Sequence, residues 1–360
     1  MASSPAAALL ASWASRRQAR PAGHASDLDW LIPMTIVAAI QVALWFAAWR
    51  AGWASAPVFE AHGLLGYTLL AIVGTAAFLF RLFQMARSGE REPVTRSAEM
   101  IRRNAPRIFI IVVAVQVFTL GSAAFQALKT GLPAAVPFWL DPYLANGERL
   151  LFGAAPWEWS HAIFGWATPA IDFVYATWLA VQIVTFYTLL LLRPSGLKAR
   201  AFITLSLAWL ILGVGGAYVF SSAGPIFYDR VFGGSEFGAL AAALNDAPVA
   251  LRTSDMLWRA YSLHTNEIAS GISAMPSMHV ALALWLALIL NETKAAPLGW
   301  IYFGLICLGS VHLGWHYVSD GLIGAVGLLA IWRLAPSLTV QSGGSLEELS
   351  KDQSVKAFLA

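Results

Sequence analysis

The sequence has little charge and almost no cysteine. Only 12% of its 360 residues are charged, about half the ~25% usual in soluble domains, whereas 58% are hydrophobic and the mean hydropathy is +0.64. This composition cannot cover a soluble fold of this size with polar surface, and 16 Trp with 20 Phe exclude a disordered chain. The single cysteine, Cys307, excludes an intrachain disulfide and a cysteine metal cluster. The net charge of +3 argues against a nucleic-acid partner.

The apolar residues are gathered into eight long runs without the alternation typical of strands. Such runs predict an all-α, polytopic membrane bundle of about eight transmembrane helices. The last three runs are shorter than the ~20 residues that a span needs, so polar residues at their ends must be drawn into the helices. The runs are Leu31–Trp49, Leu64–Phe80, Ile108–Phe125, Ile171–Leu192, Ala201–Phe220, Ser277–Leu290, Pro297–Val311 and Tyr317–Leu334.

The basic residues predict how the chain is oriented. With both termini in the cytoplasm, 17 of the 23 Lys and Arg fall in cytoplasmic segments and 6 on the outer side. The predicted organisation is a flexible cytoplasmic tail (1–29), two extra spans with a basic cytoplasmic loop (30–107), a six-helix core (108–335) and a second cytoplasmic tail (336–360). This describes a bacterial-type inner-membrane protein whose outer loops face away from the cytoplasm.

Three polar clusters lie at the outward ends of predicted spans. They are Gly224–Arg230 after the fifth run, Pro276–His279 at the start of the sixth, and His312–Asp320 before the eighth. Ionisable residues at a membrane edge are functional candidates by default. Because all three clusters fall on one side of the bundle, we expect them to converge on one pocket.

The spacing of His316 and Asp320 favours acid–base or nucleophilic chemistry. Residues four apart share a helix face and reach one another with a hydrogen bond. A carboxylate on one imidazole nitrogen fixes the tautomer and leaves the other nitrogen as a base or nucleophile. His279 supplies a second imidazole, which can act as an acid.

The stretch Pro276–His279 predicts an anion site. Proline suits the first turn of a helix, so Ser277 and the amides of Met278 and His279 lie at a helix N-terminus, where anions bind. Arg230 can add a bidentate clamp on a phosphate. A nucleophilic histidine, an acidic histidine and an anion cradle together describe phosphoryl transfer without a metal or other cofactor.

The two motifs, Pro-Ser-x-His and His-x-x-x-Asp, each opening a span, resemble the type-2 phosphatidic acid phosphatase superfamily, and the resemblance covers Ile108–Trp332. It implies a membrane lipid substrate, a phosphohistidine intermediate on His316, protonation of the leaving group by His279, and orientation of His316 by Asp320. The first motif of the superfamily, Lys-x6-Arg-Pro, is absent from the outer side. Gly224-Pro225 and the outer-loop stretch Asp141–Tyr143 instead resemble the inositolphosphorylceramide synthase-like, or inositolphosphotransferase, branch.

Several residues are predicted around the phosphate, and alternatives stay open. The predicted phosphate-binding residues are Arg230, Ser277 and Met278, and the further pocket candidates are His312, Tyr228, Arg252 and Arg259. The histidines at 312 and 316 with Asp320 could instead ligate a metal on one helix face. Simple hydrolysis of a lipid phosphate or pyrophosphate is an alternative to headgroup transfer, and a non-enzymatic lipid transporter would also explain the spans. The sequence leaves the lipid and the oligomeric state undetermined.

Overall fold

The computed structural model describes residues 25–339, and none of these lies in a β-strand. The outermost parts of the two predicted tails, 1–24 and 340–360, lie outside the described residues. The helices are α1 (Leu28–Arg50), α2 (Phe59–Arg87), α3 (Pro93–Arg103), α4 (Ala105–Ala135), α5 (Asp141–Phe152), α6 (Pro156–Phe164), α7 (Thr168–Ala176), α8 (Trp178–Leu191), α9 (Gly196–Ala208), α10 (Pro225–Phe232), α11 (Gly238–Ala243), α12 (Pro248–Ser262), α13 (Met278–Leu290), α14 (Ala296–His312) and α15 (Val318–Leu334).

The predicted bundle of membrane spans is confirmed. Within residues 25–339, six helical stretches are long and apolar enough to cross a membrane, and α13 and α14 are shorter apolar helices. Together they match the eight apolar runs. One stretch, Pro156–Leu191, is built from α6, α7 and α8 with breaks between them. Only some of the polar residues at the ends of the short runs are helical. Helix α14 includes His312, whereas His316 lies in the turn before α15.

The bundle core lies between α4, α8, α9, α13 and α15. Trp285 of α13 is fully buried there, and its indole N–H donates to the carbonyl of Ala201 at 2.9 Å. Phe186 of α8 and Phe202 of α9 meet edge to face beside it, with ring centroids 5.4 Å apart. Burial of large aromatic side chains stabilises such a core.

A π-helical segment, Trp209–Gly216, continues α9 toward the polar end of α13. A Cβ on Gly216 would lie 2.7 Å from the ring of Pro276, and one on Gly213 would lie 2.9 Å from Phe125. These glycines therefore permit close packing of the segment against the residues that precede His279.

The two extra helices pack onto the core. At the start of α1, Asp27 pairs with the buried ammonium of Lys198 at 2.7 Å, and Trp30 stacks on Phe202 at 4.2 Å. Helix α2 is mostly exposed, and it touches α4 where Gly66 lies against Thr119. Both helices consequently contribute to the wall of the cavity described below.

The long connection between α9 and α13 is largely helical. Its helices α10, α11 and α12 fold over the turn that joins α14 to α15. The amide of Ile226 donates to the carbonyl of Gly314 at 2.8 Å, and Leu240 packs on the same glycine, whose φ is 70°. This cover fixes the turn that carries His316.

Candidate active site

The two predicted catalytic histidines are in contact. Nε2 of His316 lies 3.2 Å from Nδ1 of His279, and the ring planes are inclined at 62°. His279 comes from the first turn of α13, and His316 from the turn before α15. The amide of His316 donates to the carbonyl of Ser310 at 3.0 Å, which holds its backbone in place.

Asp320 lies on the opposite side of the His316 ring. Its Oδ2 is 3.5 Å from Nδ1 of His316 and accepts the amide of Tyr317 at 3.0 Å. Within the described chain, Nδ1 of His316 and Oδ1 of Asp320 are buried without a hydrogen-bond partner. This arrangement favours a proton on Nδ1 and leaves a lone pair on Nε2, where His279 makes its contact.

Ser277 and Met278 have different environments. Ser277 is fully buried, its Oγ accepts the amide of Val280 at 3.3 Å, and its own amide donates to the carbonyl of Asp320 at 2.9 Å. A Cβ on Gly324 would meet the carbonyl of Ser277 at 2.5 Å, so this glycine allows α15 to approach α13 closely. Ser277 thus ties together the two helices that carry the histidines, while Met278 lines the adjoining cavity.

His279 is held by two aromatic rings that were not predicted as site residues. Tyr175 stacks on it with a centroid distance of 4.8 Å and an angle of 20°, and Trp178 lies 4.2 Å away. Both come from the break between α7 and α8. The sequence analysis predicted Ile171–Leu192 as one uninterrupted span, so this break was not expected.

Both histidines open into one cavity of about 260 Å³. Its walls come from α1, α2, α4, α8, the π-helical segment and the loop before α13. Most of the lining is apolar. The only Lys or Arg that lines this cavity among residues 25–339 is Lys129 of α4. The sequence did carry a signal for this residue, because Lys129 lies four residues after the predicted span Ile108–Phe125, and an ionisable group at a membrane edge is a functional candidate.

The predicted arginines lie outside the cavity. Arg230 is exposed and pairs with Asp255 at 2.7 Å. Arg252 is exposed and donates to the carbonyl of Pro248 at 3.1 Å, and Arg259 is exposed on the same helix. The structure therefore does not bring any of the three to the histidines.

Tyr228 also lies away from the cavity. Its ring packs between Phe232 at 4.9 Å and Phe237 at 5.1 Å. Burial, with the nearby carboxylate of Asp141 as a smaller contribution, raises the pKa of Tyr228. In this position it stabilises the cover formed by α10 and α11.

His312 is buried behind the turn that carries His316 and does not line the cavity. Its Nδ1 contacts the hydroxyl of Ser160 at 3.1 Å, its Nε2 contacts the hydroxyl of Thr168 at 2.8 Å, and it stacks on His161 at 3.8 Å. Both ring nitrogens are thus engaged. Among residues 25–339, no group of three or more His, Cys, Asp or Glu is placed to hold a metal ion.

Buried carboxylates fix the loops around the site. Asp141 accepts the amides of Ala223 and Gly224, each at 2.8 Å, and the hydroxyl of Tyr317 at 3.3 Å. Gly224 has a φ of 92°, and a Cβ there would meet the carbonyl of Trp315 at 2.5 Å, so glycine is required. Burial raises the pKa of Asp141 to about 6, against the opposing effect of these hydrogen bonds.

Two further carboxylates act in the same way. Glu148 accepts the amide of Ser319 at 2.9 Å and its hydroxyl at 2.8 Å, which caps the start of α15. Burial raises the pKa of Glu148. Asp172 accepts the amides of Val249 and Ala250, at 2.8 and 2.9 Å, and so caps α12. Each carboxylate satisfies N–H groups at a helix start that have no partner within the helix.

Comparison with known proteins identifies the family of the chain. A family model described as the PAP2 superfamily matches residues 149–334, just over half of the 360-residue chain, and the match includes both histidines and Asp320. The chain therefore belongs to the PAP2 superfamily, and it is a multi-pass membrane protein of the phosphatase type. No curated protein and no solved structure matches the chain.

Proposed function

We propose that this protein is a metal-independent lipid phosphotransferase that works through a phosphohistidine intermediate on His316. The observation that carries the proposal is the contact between His316 and His279 at 3.2 Å, at the end of a largely apolar cavity of about 260 Å³. The position of Asp320 beside Nδ1 of His316 supports the role of His316 as the nucleophile.

The proposed reaction has two displacement steps. Nε2 of His316 attacks the phosphorus of a donor lipid, the bond from phosphorus to the leaving oxygen breaks, and His279 gives that oxygen a proton. A hydroxyl group then attacks the phosphorus, His279 takes its proton, and the bond between phosphorus and His316 breaks. Asp320 stabilises the positive charge that develops on His316 during the attack.

We further propose that the second hydroxyl belongs to a lipid acceptor, as in an inositolphosphotransferase. Two observations support transfer. The cavity wall is mostly apolar, which favours a lipid alcohol over water, and the two stretches that resemble the inositolphosphotransferase branch are in contact, since Asp141 accepts the amide of Gly224 at 2.8 Å. The first half of the reaction is common to transfer and hydrolysis.

An assay of purified protein in lipid vesicles tests the proposal. Phosphatidylinositol serves as the donor, with or without ceramide as the acceptor, and both free inositol phosphate and new inositol-phosphate lipid are measured. We expect the new lipid to form in an acceptor-dependent way and to exceed the free headgroup. Release of phosphate from phosphatidic acid, with no product that contains an acceptor, would instead assign the protein as a simple lipid phosphatase.

We propose an inner-membrane location with both termini in the cytoplasm and the histidines on the outer side, as the distribution of Lys and Arg favours. Single cysteines test this orientation in a Cys307→Ala background, at the exposed positions Ser235 and Ser88. In intact cells, a membrane-impermeant maleimide should label Ser235→Cys, which lies in the cover of the site. It should label Ser88→Cys only after permeabilisation, and the opposite pattern would reverse the orientation.

A further inference from the structure

The cavity beside the histidines has an uneven charge. Among the described residues, its lining includes one ammonium group, that of Lys129, and three imidazoles, those of His62, His279 and His316, but no Asp or Glu. Lys129 has no hydrogen bond or ion pair with any residue of the described range 25–339. A lysine in a largely apolar cavity without a counter-ion is costly, and an anionic ligand would offset this cost.

The position of Lys129 is fixed by its surroundings. A Cβ on Gly271 would lie 3.0 Å from Cγ of Lys129 and 3.3 Å from its carbonyl carbon, so the loop before α13 packs directly on the lysine stem. One turn earlier on α4, the side-chain Nε2 of Gln126 donates to the carbonyl of Ser270 at 2.8 Å. The side-chain Oε1 of Gln126 accepts the backbone amide of Ala269 at 3.1 Å. This double contact anchors the loop against α4.

We propose that Lys129 binds the phosphate of the substrate while His316 attacks it. This inference rests on the proposed function, which needs a cation to bind the substrate phosphate, and it assigns that role to Lys129. Lys129 lines the same cavity as both histidines, His279 and His316. An ammonium group donates charge-assisted hydrogen bonds to phosphate oxygens and offsets their negative charge during the displacement. The site therefore takes a phosphate mono- or diester and rejects lipids without phosphate.

Binding of orthovanadate, an analogue of phosphate, tests this assignment directly. The full-length protein is purified in detergent, and vanadate affinity is measured by titration calorimetry for the wild type, Lys129→Met, Lys129→Arg and Lys294→Met. Lys294 is an exposed lysine in the turn between α13 and α14, outside the cavity, and gives a matched control. We expect Lys129→Met to weaken vanadate binding about 10- to 100-fold. Lys129→Arg should retain part of the affinity, and Lys294→Met should leave it unchanged.

A chemical variant separates loss of charge from loss of fold. Since Cys307 is the single cysteine, Lys129→Cys in a Cys307→Ala background offers one thiol. Alkylation with bromoethylamine restores an ammonium at nearly the length of lysine, whereas alkylation with iodoacetamide gives a neutral side chain. We expect vanadate binding to return only with the first reagent.

The outcomes distinguish this inference from the proposed function. Equal vanadate affinity in the wild type and Lys129→Met, or no binding by the wild type, would overturn the role of Lys129. Equal recovery with both alkylating reagents would overturn it as well. The proposed function is judged separately, by whether the wild type forms a covalent adduct on His316. An adduct that forms normally in Lys129→Met at low donor concentration would contradict the inference and leave the function intact.

Discussion

His316→Ala should lose essentially all turnover, by on the order of 10⁴-fold or more, because it removes the proposed nucleophile of the two-step displacement. The imidazole is placed for this role by three contacts: Asp320 at 3.5 Å from Nδ1, His279 at 3.2 Å from Nε2, and the carbonyl of Ser310, which accepts its amide at 3.0 Å. No other imidazole in the described chain contacts His279 in this way. Consumption of phosphatidylinositol in vesicles that contain ceramide gives the rate.

A matched histidine change controls for folding. His264 is exposed, lies outside the cavity and has a φ of 53°, a conformation that Asn tolerates. His264→Asn should keep the wild-type rate, and both variants should unfold at a temperature close to that of the wild type. Near-normal turnover in a folded His316→Ala protein would contradict the assignment of the nucleophile.

His279→Ala should slow the reaction according to the leaving group. General-acid help is worth about 10²–10⁴-fold, and it matters most when the departing oxygen is strongly basic. Lipid alcohols are poor leaving groups, whereas p-nitrophenolate leaves without protonation. We therefore expect a loss of about 10²–10⁴-fold for a phospholipid and a much smaller loss for the p-nitrophenyl ester.

The ratio of the two losses is the quantity to measure. Because His279 stacks on Tyr175 and lies against Trp178, its removal also leaves space beside α13. His279→Gln fills more of that space without supplying the acid and should show the same ratio as His279→Ala. Equal losses for both substrates in both variants would indicate a packing role and exclude general-acid catalysis by His279.

The helical architecture and the histidine pair could be predicted from the sequence for clear reasons. Long apolar runs predict membrane helices, because a chain that crosses the apolar bilayer must pair its backbone groups within a helix. His279 and His316 lie at the ends of such runs. The orientation predicted from the distribution of Lys and Arg puts both of these ends on the same side of the membrane. The contact between His279 and His316 agrees with that convergence.

The groups around the phosphate could not be predicted in the same way. Arg230, Arg252 and Arg259 were chosen by charge and side of the membrane, but these properties do not say which helix face points at the cavity. In the structure, α10 and α12 present these arginines outward, and Arg230 is paired with Asp255. Lys129 comes from α4, far from both motifs in sequence, so only tertiary packing places it in the cavity.

The roles of the buried carboxylates were also beyond sequence reasoning. Asp172 belongs to α7, but it caps a different helix, α12, through the amides of Val249 and Ala250. Asp141 holds the loop at Gly224, more than eighty residues away. A cap supplied by a distant side chain leaves no local spacing signal, in contrast to an N-cap within the same helix.

The most direct test of the account is to map a trapped covalent adduct. Purified wild-type protein is mixed with phosphatidylinositol labelled in its phosphate, quenched within a turnover in alkali, digested and analysed by mass spectrometry. The account predicts an acid-labile, alkali-stable phosphorus adduct on the imidazole of His316, which accumulates without acceptor and disappears when acceptor is added. An adduct on another residue, or turnover with no adduct at His316 at any time, would contradict it.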